Sequence, residues 1–96
     1  MKAELLLKER LTQSENSFAE LALWRVPAPV PGSGHVFKYR LAFVVDGVCV
    51  LRYDNEVGKG DHKHVDEIET AYIFEPPRRL LADFWRDVEQ WRAKHE

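Results

Sequence analysis

Asp46-Gly47 sits between two strand-like runs, residues 37–45 and 48–54. An Asp-Gly pair flanked by such runs is what a two-residue type I′ turn demands, because both central residues take positive φ. The turn sets the register of everything around it. With regular pairing, Val45 faces Val48, Phe43 faces Val50, Leu41 faces Arg52 and Tyr39 faces Asp54. Paired residues share a face. One face then carries Tyr39, Leu41, Phe43, Val45, Val48 and Val50, and it must pack on something. The other carries Lys38, Arg40, Ala42, Val44, Cys49, Leu51 and Tyr53, half apolar and basic at its far end. On this register Arg52 falls on the buried side, far from the turn. Its guanidinium must reach the rim or find a carboxylate, and Asp54 is the nearest.

The packing partner is at the other end of the chain. In residues 78–94, Leu81, Phe84, Val88 and Trp91 recur at spacings of 3 and 4, with Leu80 and Trp85 flanking. That is the stripe of an amphipathic helix, and Pro77 suits its first turn. Upstream, residues 3–13 alternate as a strand would, although a helical stripe also fits. Residues 14–16 signal a turn. Residues 18–26 read as a second strand with apolar side chains on both faces. Pro27, Pro29 and Pro31 with Gly32, Ser33 and Gly34 form a connection that is neither helix nor central strand. Residues 70–74 read as a short strand ended by Pro76-Pro77. The expected fold is α+β: an antiparallel meander of about five strands with one C-terminal helix packed across one face. Sheet edges and the second face stay free for a partner, a second copy included.

The chain has 96 residues, so one domain over 1–96 is expected, with one modest core. Its 45% hydrophobic and 31% charged residues argue against disorder. With a net charge of -2, no global positive field recruits nucleic acid, and any anion site must be local. The lone Cys49 lies in an apolar run and reads as a core residue. Lys8, Glu9 and Arg10 interrupt any signal-peptide core, and no uncharged run could span a bilayer. A cytoplasmic protein without a membrane partner is expected. Trp24, Trp85 and Trp91 read as core residues rather than ligand stackers.

Residues 52–64 resist explanation as ordinary core or ordinary surface. They read Arg-Tyr-Asp-Asn-Glu-Val-Gly-Lys-Gly-Asp-His-Lys-His, expected as a loop on a rigid scaffold. Gly58-Lys59-Gly60 lacks the spacing and the Ser/Thr of a P-loop, although two glycines can let backbone approach a phosphate. A tight turn with an exposed lysine explains the same tripeptide. If residues 61–65 are extended, His62 and His64 point to one side, and Asp61, Lys63 and Val65 to the other. Two imidazoles on one face can act as base and acid near neutral pH. RNA cleavage without a metal needs such a pair. One group takes the 2′-hydroxyl proton and the other protonates the leaving 5′-oxygen. It also needs cations for the negative transition state. Lys59, Lys63, Arg52 and Arg40 are within reach by sequence. Tyr53 could stack on a base, and Asp54 or Asp61 could orient a histidine.

Two other readings stand beside this one. His-x-His with Asp61 is a donor set for a divalent metal, with Asp54 or His35 as a further ligand, but the adjacent lysines would repel the cation. A solvated, merely polar loop is the third.

The run Arg52-Tyr53-Asp54-Asn55-Glu56, followed by Gly58-Lys59-Gly60-Asp61-His62-Lys63-His64, resembles the signature of the TumE family, toxin components of small bacterial toxin–antitoxin pairs. Tyr39-Arg40-Leu41, Val48-Cys49-Val50-Leu51 and Tyr72-Ile73-Phe74 match as well, so the resemblance spans nearly the whole chain. It implies a small cytoplasmic toxin that cleaves RNA and is neutralised by a cognate antitoxin. The matching positions give His62, His64, Lys59, Arg52 and Asp61 as candidate catalytic residues. Arg40, Tyr53, Asp54 and Lys63 are the candidate substrate-binding residues. No cofactor and no metal ligand is expected. The alternatives are a non-catalytic binding module and a metal-dependent nuclease or nucleotide-modifying toxin.

Overall fold

A computed structural model describes residues 2–95. Six strands follow one another: β1 (Glu4–Ser14), β2 (Ser17–Arg25), β3 (Phe37–Val45), β4 (Val48–Glu56), β5 (Gly60–Val65) and β6 (Ile68–Ala71). One helix, α1 (Pro77–His95), ends the chain. The sheet order is β1-β2-β3-β4-β5-β6, antiparallel throughout, so each strand pairs with its neighbour in sequence. The α+β meander is as expected, with six strands rather than five. The extra strand is β5, from the stretch expected to be a loop. The last strand begins earlier than residue 70, after a tight turn in which Asp66 adopts φ 56°.

The Asp46-Gly47 turn forms with φ 50° and 77°, the positive values a type I′ turn requires. The register beyond it departs from expectation. Val45 pairs with Val48 and Val44 with Cys49, but Phe43 pairs with Leu51. Val50 is the extra residue of a β-bulge, and its carbonyl accepts from Asp66 N–H at 2.8 Å. A one-residue slip moves every later side chain to the opposite face. Leu41 therefore faces Tyr53 and Arg40 faces Asp54. Leu51 and Tyr53 enter the core, while Arg52 and Asp54 leave it. Regular pairing would have buried an arginine and an aspartate under a helix, which costs far more than the local disruption of a bulge. Val48 and Cys49 are exposed near the turn, so the expected core place of Cys49 is corrected.

The core lies between one face of the sheet and α1. Ala19, Leu21, Leu23, Tyr39, Leu41, Phe43, Leu51 and Tyr53 meet Leu80, Phe84 and Val88. Three polar anchors fix the helix. Tyr53 donates to Asp87, Lys63 Nζ lies 3.0 Å from the same carboxylate, and Tyr72 donates to Asp83 at 2.6 Å. Trp85 and Trp91 pack against this core, whereas Trp24 stands half-buried on the other face. That other face has no helix over it, and it carries the site.

Candidate active site

Strand parity and the bulge together assemble the open face. Across four strands, Ala22 pairs with Arg40, Arg40 with Asp54, and Asp54 with His62. One step along the strands, Ala42 pairs with Arg52, Arg52 with His64, and His64 with Glu69. The two rows bring Arg40, Arg52, Asp54, His62, His64 and Glu69 onto one surface. The imidazole centroids of His62 and His64 lie 5.2 Å apart, edge to face at 69°.

Arg52 is the hub. Its Nη2 donates to His64 Nε2 at 2.9 Å, and its Nε stands 3.0 Å from Asp54 Oδ2. A guanidinium has no lone pair to offer. His64 Nε2 is therefore the acceptor, and the proton of the neutral ring sits on Nδ1. His62 is buried at 4% exposure. Its Nδ1 donates to Gly60 O at 3.0 Å, since a carbonyl only accepts. Its Nε2 lies 2.6 Å from Asp54 Oδ1. Neither Arg52 Nε nor Asp54 Oδ1 makes an aligned hydrogen bond, so these two approaches to Asp54 are close charge contacts rather than linear bonds. Glu69 closes the far side, 3.7 Å from Nε2 of each histidine.

Asp54, His62 and His64 also offer ligand atoms within 4.8 Å of one another, a donor set suited to a divalent transition metal. Arg52 already stands among them, touching two of the three. A metal would have to displace a fixed positive charge.

Of the nine residues that the sequence singles out, five meet here: Arg40, Arg52, Asp54, His62 and His64. The other four do not. Asp61 and Lys63 alternate with the histidines along β5 and point to the helix side. Asp61 accepts from His35 Nε2 at 2.7 Å, Tyr39 Oη at 2.6 Å and Ser33 Oγ at 2.9 Å. It orients His35, not the paired histidines, and clamps the Pro-rich connection to the sheet. Phe37 N–H donates to His35 Nδ1 at 3.1 Å, which leaves the ring proton on Nε2. Burial, then the Asp61 hydrogen bond, push the Tyr39 hydroxyl far above its ordinary range, so it stays a donor. Tyr53 is fully buried beneath α1, and no base can stack on it. Lys59 sits at the tip of the β4–β5 hairpin, exposed and 3.4 Å from Glu56. Of the glycines beside it, Gly60 serves a close backbone approach and Gly58 a turn at φ 83°. A Cβ on Gly60 would meet Gly32 O at 2.7 Å, and Gly58 N–H donates to Pro31 O at 2.7 Å.

Glu69 is not among the residues that the sequence singles out. The Asp66-Glu67 turn was the available signal: a two-residue turn there pairs residue 64 with residue 69.

Comparison with known proteins supplies the class. A family model described as Toxin TumE matches residues 2–92. The chain belongs to the TumE family of toxins. Searches of curated proteins and of solved structures returned no match. The matched span takes in both rows of the open face, so a TumE toxin here places its polar cluster on a bare antiparallel sheet. No helix among the described residues is long and apolar enough to cross a membrane.

Proposed function

We propose that this TumE-family toxin is an endoribonuclease that cleaves RNA without a metal ion, and that a cognate antitoxin restrains it. One observation carries the reading: Arg52 joins His64 to Asp54 on an uncovered face, with His62 directly behind. His64 Nε2 already accepts a proton-bearing partner. A 2′-hydroxyl in the place of the Arg52 N–H would lose its proton to the same lone pair. Arg52, released from His64, would turn its planar fork to the scissile phosphate and stabilise the charge that grows there. His62 Nε2 beside Asp54 is where a second proton would be held for the leaving 5′-oxygen. Its burial assigns it the inner position and leaves His64 outermost.

The test uses purified protein and RNA in EDTA, comparing wild type with His64→Ala, His62→Ala and Arg52→Ala. Cleavage by wild type and loss in all three is expected. Equal cleavage by all four proteins would remove the mechanism. A metal-dependent nuclease is the second reading, because Asp54, His62 and His64 cluster tightly. A stoichiometric ion lost on His64→Ala, with activity abolished by EDTA, would put it first.

A further inference from the structure

A second hollow adjoins this cluster, on the side away from the histidines. It is an open cavity of about 310 Å³ on the same face. Trp24 and Ala22 of β2, Lys38 and Arg40 of β3, and Asp54 and Glu56 of β4 line it. Arg52 also reaches its wall, so the hollow and the reaction centre share Arg52 and Asp54.

Three features coincide in the hollow. Most arginines and lysines near a carboxylate are paired, as in Arg10–Glu20, Arg25–Glu4, Lys59–Glu56 and Arg79–Asp83. Among the described residues, Lys38 and Arg40 have no such partner. The two carboxylates of the hollow are already taken, Asp54 by Arg52 and His62, Glu56 by Lys59. The uncompensated charge is therefore positive. Second, the Trp24 indole has no ring or cation stacked on it among the described residues, unlike Trp91, which stacks on His95 at 3.8 Å. Third, Ala22 opposite Arg40 is too small to fill the floor. A free aromatic face beside two unpaired cations is the pattern that holds one unit of a single strand, the base on the ring and the phosphate on the charges.

We infer that the Trp24–Arg40–Lys38 hollow is a nucleotide subsite for single-stranded RNA, seating the nucleotide next to the bond broken at His64. The inference rests on the reaction centre proposed above. Two strand spacings of ~4.8 Å separate Arg40 from His62, so a neighbouring nucleotide spans the gap. The subsite sets which bond of the strand lies over Arg52, because the base stacked on Trp24 fixes the register of the chain.

Binding and cleavage are measured separately. A short single-stranded oligoribonucleotide with 2′-O-methyl groups cannot be cut through its 2′-oxygen, so its binding is read without cleavage and the variants report the subsite's share. Trp24→Ala is expected to weaken that binding about 5- to 150-fold, the range of one stacked base, and Trp24→Phe to keep most of it. Arg40→Gln with Lys38→Gln should lower the slope of log affinity against log salt by about 1 to 2. Circular dichroism checks that each variant is folded. The two exposed cation changes keep the test decisive should Trp24→Ala unfold. If wild type binds the methylated oligonucleotide through Trp24 and Arg40 but does not cut the unmodified one, the subsite stands and the chemistry falls. If cleavage occurs but binding ignores Trp24 and the two cations, the subsite is overturned. An oligonucleotide that does not bind at physiological salt overturns it too, as does an acidic protein segment that binds there in its place.

Discussion

Arg52 donates to His64 across 2.9 Å, and the two residues are direct partners on adjacent strands. The contact follows from the β4–β5 register, and the β4 bulge at Val50 turns Arg52, with the histidines, onto the face that the helix leaves open. It makes a specific demand on the side chain: one group must reach a carboxylate and an imidazole at once. Arginine meets the two from separate nitrogens of one planar fork, Nε and Nη2, a geometry that the compact ammonium of lysine does not reproduce. Arg52→Lys should therefore keep the fold, shift Tm little, and lower kcat for RNA cleavage on the order of 10²- to 10³-fold, as for removal of one transition-state donor. Single-turnover cleavage alongside thermal melting checks this. A kcat within a factor of about three of wild type would show that Arg52 is structural.

How much of this was legible in the sequence turns on single residues. The Asp46-Gly47 turn, the helix stripe and the parity of His62 and His64 were all readable, because turn chemistry and periodicity are local. The bulge was not. Val50 extends an apolar run without a glycine or proline to mark it, and the decision to skip it is made by burial. Tyr53 and Leu51 fill the space under Phe84, and Arg52 and Asp54 escape desolvation. That preference is tertiary. The same holds for Asp61. Its neighbours in sequence suggested a partner for the histidines, but its partners His35, Tyr39 and Ser33 lie 22 to 28 residues away. Trp24 reads as core from sequence because nothing local says which face of β2 the helix covers.

Glycines of the β2–β3 connection and of the β4–β5 hairpin offer a graded test. Gly32 has φ 97°, and a Cβ there would meet Gly60 N at 2.8 Å. Gly58 has φ 83° but open space around it, and Gly34 has neither constraint. Gly32→Ala should destabilise by about 2–4 kcal/mol, from strain and overpacking together. Gly58→Ala should cost about 1 kcal/mol, and Gly34→Ala should be neutral or slightly stabilising. Urea unfolding of the three variants orders them. Equal effects at Gly32 and Gly34 would refute the close backbone approach.

Tyr53→Phe isolates one helix anchor. The ring stays, packed edge-to-face on Phe84 with centroids 5.9 Å apart, but the donor to Asp87 is lost. Lys63 still holds that carboxylate, so the penalty is that of one hydrogen bond rather than of a stranded charge, about 1–2 kcal/mol. Phe84→Ala should cost about 3–5 kcal/mol, since it empties a site that is fully buried. Denaturant melts of the two variants test the ordering.

Asp83 ties stability to acid pH. Burial works against its charged form, but hydrogen bonds from Tyr72 and Arg79, with Arg86 adding charge, outweigh it and hold the carboxyl below its ordinary value. A group whose folded value is depressed binds fewer protons in the folded state. It contributes stability above the unfolded value, and that contribution is lost as pH falls through the folded one. The loss therefore falls on the acid side of the usual carboxylate range. Asp83→Asn, which keeps the shape without the charge, should lower Tm at neutral pH and flatten the acid limb of the Tm curve. The gap from wild type should shrink as pH falls through and below the ordinary carboxylate range, as Asp83 becomes neutral. Melting curves taken across that range decide it: a gap that stays constant with pH would mean that Asp83 anchors Tyr72 by shape alone.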